Sequence, residues 1–98
     1  MTKKKFDVVQ KYPNLANVEG SFTQVIEENM NTLSLAMEDE TVSDENFKEI
    51  IFHIMKQCKQ SPYISKVRSK IEQMRTKREI CFYVIRAALK GENLGTVA

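Results

Sequence analysis

Thr76-Lys77-Arg78-Glu79-Ile80-Cys81-Phe82-Tyr83-Val84-Ile85-Arg86-Ala87-Ala88-Leu89-Lys90-Gly91 is the stretch on which the fold turns. It contains the most hydrophobic run of the chain, Ile80 to Ile85. At about 100° per residue, Ile80, Cys81, Phe82, Val84, Ile85, Ala88 and Leu89 cover an arc of roughly 200° on a helix. Only a narrow strip with Glu79, Arg86 and Lys90 is left polar. A helix that apolar has to be wrapped by others on more than one side, so this segment is expected to be the deepest element of a helical bundle. Thr76 and Glu79 have the spacing of a capping box, and Gly91 supplies a residue suited to the left-handed C-terminal cap.

Upstream, Ser61 followed by Pro62 is a helix start, because proline's missing N–H is not needed in the first turn. Tyr63, Ile64, Val67, Ile71 and Met74 then form a thin apolar stripe. Continuing that stripe would carry Arg78 onto the apolar seam. A break near Arg75-Thr76 is therefore expected, giving helices over 62–75 and 77–90. The competing reading is one continuous helix over 62–90, with Arg78 reaching solvent along its aliphatic stem.

Two more amphipathic segments precede these. Ser43 caps a helix over 44–58, with Asp44 and Glu45 in its first turn, where carboxylates favour the positive end of the dipole. Its stripe is Phe47, Ile50, Ile51, Ile54, Met55 and Cys58. Ser21 caps a helix over 21–38 whose stripe runs through Phe22, Val25, Ile26, Met30, Leu33, Ala36 and Met37. Residues 1–17 read as a basic N-terminal arm carrying Phe6, Val8, Val9, Tyr12 and Leu15. It is either a short helical turn ending near Lys11 or an extended strap, with Tyr12-Pro13-Asn14 as a turn. Residues 92–98 read as a loose tail. The expected fold is a single all-α domain over 1–98, a compact antiparallel bundle of about four helices.

Composition agrees with that class. The 98 residues hold 3 Gly and 2 Pro, too few for a turn-rich sheet fold, and 42% hydrophobic against 29% charged residues is ordinary for a globular chain. The longest run without Asp, Glu, Lys or Arg is Asn29 to Met37, far short of the ~20 residues of a membrane span. Lys3-Lys4-Lys5 is followed by Asp7, Gln10 and Lys11, which deny it a signal-peptide core. Cys58 and Cys81 are isolated and fall on apolar faces, so they read as core thiols in a reducing compartment. A cytoplasmic location with no membrane association is the expectation.

The net charge of +2 conceals strong segregation. Residues 18–55 hold nine acids against Lys48, whereas residues 56–98 hold ten bases against Glu72, Glu79 and Glu92. Such asymmetry points to a charged partner. Catalysis finds little support, since His53 is the one histidine and lies beside its helix stripe rather than beside a nucleophile. His53 and Glu49 offer two metal ligands where zinc takes about four, and residues 38–45 lack the spacing and glycine of a calcium loop. No phosphate-binding glycine motif occurs. No enzyme, cofactor, metal or small-molecule substrate is expected.

Two binding surfaces remain. Leu35, Phe52, Phe82 and Tyr83 are apolar positions off or at the edge of their stripes, and a patch of this kind docks a protein partner or a second copy as a homodimer. That interaction or regulatory role is the leading expectation. The alternative is nucleic-acid binding through Lys66, Arg68, Lys70, Arg75, Lys77 and Arg78, with Arg68 and Arg75 on one flank of their helix and Lys66 and Lys70 on the other.

Overall fold

The computed structural model describes residues 6–90. Six α-helices occur among them: α1 (Val8–Lys11), α2 (Phe22–Glu28), α3 (Met30–Glu38), α4 (Asp44–Gln57), α5 (Pro62–Glu72) and α6 (Lys77–Lys90). A 3-10 turn (Pro13–Leu15) follows α1, and no strand occurs among the described residues. The Gly91 cap, the 92–98 tail and the Lys3-Lys4-Lys5 run lie outside the described residues.

The cluster of serine and threonine caps works as the sequence implies. Oγ of Ser21, Ser43 and Ser61 accepts from the backbone N–H of Gln24, Asn46 and Ile64, and Thr76 Oγ1 accepts from Glu79 N–H at 3.2 Å. Glu79 reaches back one residue further than in the usual capping box, its Oε1 accepting from Arg75 N–H at 3.2 Å.

α6 touches α2, α3, α4 and α5, but its buried face is narrower than the expected arc: Phe82 and Leu89 are exposed, and Ala87, outside that arc, is buried. Its Ile80, Cys81, Val84, Ala87 and Ala88 are buried with Phe22, Ile26, Leu33, Phe47, Ile50, Ile54 and Ile71 of the other helices. No polar or charged side chain among the described residues is fully buried. Each buried Val, Leu, Ile or Phe in this core contributes on the order of 1.5–3 kcal/mol by leaving water.

The helix pattern differs from expectation in three places. The single helix expected over 21–38 is two helices jointed at Asn29. Asn29 Nδ2 donates to the Val25 carbonyl at 2.8 Å, competing with the backbone ladder, and its φ of −120° departs from helical values. The helix expected over 62–75 ends at Glu72, and residues 73–76 separate α5 from α6, so the continuous 62–90 helix is excluded. The bundle of about four helices becomes six, counting α1 in the arm.

That arm is a strap with a helical turn in it. Asp7 Oδ1 caps α1 by accepting from Val9 and Gln10 N–H. Leu15 and Val18 are buried, and the Leu15 carbonyl accepts from His53 Nε2 at 2.9 Å. Asn14 Nδ2 donates to Thr32 Oγ1 at 2.9 Å, and Lys11 Nζ pairs with Asp39 at 3.2 Å. The chain then turns at Gly20, whose φ of +115° suits glycine and whose carbonyl accepts from Lys59 N–H.

Candidate binding groove between helices α5 and α6

The four residues between α5 and α6 return the chain on itself, so the two helices lie side by side in opposite directions. Tyr63, at the start of α5, donates its hydroxyl to the carbonyl of Ala87, near the end of α6, at 2.8 Å. Beside this contact runs an open groove of about 580 Å³. Tyr63, Val67, Tyr83 and Ala87 line it together with Ser69 and Gln73. Lys66 and Lys70 stand on the α5 side, Arg86 and Lys90 on the α6 side. The described lining thus carries four cations and no carboxylate. Burial pushes the pKa of the Tyr83 phenol up, so at neutral pH it remains a hydrogen-bond donor.

The two walls share a pattern. Tyr63, Lys66 and Lys70 read Tyr-x-x-Lys-x-x-x-Lys, and Tyr83, Arg86 and Lys90 read Tyr-x-x-Arg-x-x-x-Lys. On antiparallel helices these spacings give each wall one tyrosine on the floor and a pair of cations along its rim. Two of the chain's three tyrosines are used this way. Arg86, Lys90 and Tyr63 were not singled out by sequence reasoning. The repeated spacing was the available signal, and it becomes meaningful only once α5 and α6 are known to be separate and adjacent.

The remaining basic positions go elsewhere. Lys77 is half-buried, its Nζ donating to the carbonyls of Asp39 at 2.7 Å and Val42 at 2.6 Å while its backbone N–H donates to Asp44 Oδ1. It clamps the α3–α4 connection. Arg68 lies on the opposite flank of α5 from the groove, 3.5 Å from Glu72 and with its guanidinium 4.6 Å from the Phe52 ring centroid. Arg78 stands 5.6 Å from the Phe82 ring, and Arg75 is exposed beyond the end of α5. Six bases that look like one row in sequence are therefore distributed around the molecule, and Lys66 and Lys70 alone of them line the groove.

The apolar set disperses in the same way. Tyr83 lines the groove, whereas Phe52 is half-buried beneath Arg68. Leu35 is 59% exposed on α3, roughly 200° around its helix from the buried Leu33. Phe82 is 55% exposed, and Leu89, one heptad later on the same face of α6, is 68% exposed.

His53 is half-buried and tied to the arm through the Leu15 carbonyl. Cys58 and Cys81 are buried, and burial raises the pKa of the Cys81 thiol. Among the described residues no three or more His, Cys, Asp or Glu side chains gather as a metal site would need, and no helix is long and apolar enough to cross a membrane. Comparison with protein-family models, with curated proteins and with solved structures found no match.

Proposed function

We propose that this chain is a non-enzymatic interaction module that docks an acidic segment of a protein partner in the α5–α6 groove. The observation that carries this reading is the lining itself: cations on both walls, a tyrosine and aliphatic floor, and no carboxylate among the described lining residues. Apolar floors supply affinity by excluding water, and one-signed rims select orientation and speed encounter. The acidic residues of the chain are concentrated between 18 and 55, and Lys77, Arg68 and Lys11 each meet acidic residues or carbonyls there or within α5. Among the described residues no hydrogen bond or ion pair ties Lys66, Lys70, Arg86 or Lys90 into the fold, which leaves their charge to act on a ligand. The distribution of bases over several faces disfavours a continuous phosphate track, because backbone-following proteins align their cations along one path.

The test is a residue-resolved titration. An acidic, leucine-containing peptide added to labelled protein is expected to shift the amide resonances of Lys66, Lys70, Tyr83 and Arg86, with the effect weakening as salt rises. Shifts confined to Arg68, Arg78 and Phe82, or their absence, would remove the groove as the docking surface.

A further inference from the structure

We infer that the segment the groove accepts is an amphipathic α-helix of about three turns, with carboxylates on both sides of one apolar seam. This rests on the docking role just proposed and specifies its ligand. The groove runs from Tyr63 to Gln73 along α5, ten residues or roughly 15 Å at 1.5 Å per residue. Lys66 and Lys70 are four residues apart on one rim, as are Arg86 and Lys90 on the other, a rise of about 6 Å within each pair. A helix lying between two antiparallel helices presents its own residues at i and i+4 with that same rise. Glutamates at such positions, on both flanks of its seam, meet both rims at once. The seam itself rests on Val67, Ala87 and the rings of Tyr63 and Tyr83.

An extended segment fits less well. It would lay backbone N–H and C=O groups against an apolar floor, and no strand edge exists among the described residues to pair them. A helix satisfies its backbone internally and needs only side-chain complementarity. The near two-fold repetition of the walls adds a corollary: the rims offer the same charge pattern to a helix in either direction, so charge alone does not set its polarity.

The experiment uses three fluorescent probes, a charge-swapped version of the first, and the full chain. The first is a capped peptide of about 16 residues with a Leu/Ala seam and Glu at i, i+4 on both flanks, long enough to hold helical structure in a bound state. The second has the same composition with two central prolines, and the third is a mixed-sequence single-stranded DNA oligonucleotide. Anisotropy is measured against wild type, K66E/K70E and R86E/K90E, all exposed positions whose replacement leaves the fold intact. The helical peptide is expected to bind at least tenfold more tightly than the proline version. Each double reversal should weaken it about tenfold, and a peptide with Lys on the matching flank should recover the loss. Equal binding of both peptides, still sensitive to the reversals, would overturn the helix while leaving the docking groove in place. Insensitivity of every probe to both reversals would overturn the groove as well. Tighter binding of the oligonucleotide, lost in K66E/K70E, would replace a protein ligand by a nucleic acid.

Discussion

The two flanks of α5 carry similar side chains and do different things. Toward α4, Arg68 packs its guanidinium over Phe52 and sits beside Glu72, and Lys48 reaches across to the Glu72 carbonyl at 3.4 Å. Toward α6, Lys66 and Lys70 rise beside a tyrosine-lined groove with Arg86 and Lys90 opposite. A cation beside an acid, a carbonyl or an aromatic face is part of the fold. Cations gathered around an apolar floor with no carboxylate among them are left to act on something else. The lesson is that the number of bases in a segment carries little information until the surface each one faces is known.

This division predicts a graded response to substitution. The largest effect belongs to the buried face of α6, which both flanks depend on. Ile80→Ala removes a fully buried side chain from the helix that touches four others and is expected to cost about 2–5 kcal/mol in chemical denaturation. A loss under about 1 kcal/mol would mean that α6 is not the central element. Lys77→Met comes next. It keeps the aliphatic stem but removes the ammonium donor from the Val42 carbonyl and from the Asp39 carbonyl, which keeps only the Val42 N–H, for an expected cost of about 1–3 kcal/mol. A neutral result would return Lys77 to the set of bases available for binding.

Much of the framework was legible because it rests on local rules. Ser21, Ser43, Ser61 and Thr76 announce their caps through short-range hydrogen bonding, and the bounds expected for α6, 77–90, are those observed. The break before Lys77 was legible too, since an arginine on an apolar seam is an energetic conflict. The joint at Asn29 was not, because the apolar stripe runs through it without interruption. What bends the chain is one amide that bonds the Val25 carbonyl and approaches Asn14 of the arm, a contact fixed by tertiary placement. The groove was half legible. Lys66, Lys70 and Tyr83 were named for two different hypotheses, and neither paired them with Arg86 and Lys90. Side-by-side packing of α5 and α6 is what joins them. Phe52 was read as an exposed anchor because a helical wheel cannot show that Arg68, on another helix, lies over it.

The smaller predictions bear on the flanks themselves. Arg68→Ala removes a cation from an aromatic face and an exposed ion pair, and should lower stability by about 0.5–1 kcal/mol with no effect on peptide binding. Lys66→Gln with Lys70→Gln should do the reverse, shifting stability by less than about 0.5 kcal/mol while weakening an acidic ligand. Comparable destabilisation by both variants would erase the distinction between the flanks.

Acid provides the finest probe, because it tests the arm end of the fold without touching α5. Hydrogen bonds from the Thr41 hydroxyl at 2.6 Å and backbone N–H at 2.8 Å, with Lys11 nearby, hold the Asp39 carboxyl down at about 2. A carboxylate with a depressed native pKa stabilises the fold above its unfolded value of about 3.9, and that contribution disappears as pH falls through about 2. Thr41→Val deletes the hydroxyl donor, so the Asp39 titration followed by NMR should move upward toward the ordinary carboxylate range. Part of the stability lost between pH 4 and pH 2 should then vanish from the wild-type minus variant difference. Since Asp39 also offers its backbone carbonyl to Lys77, the same titration reports whether loosening this loop loosens the clamp. Unchanged Lys77 resonances as Asp39 protonates would show that the clamp depends on the backbone of the turn and not on its charge.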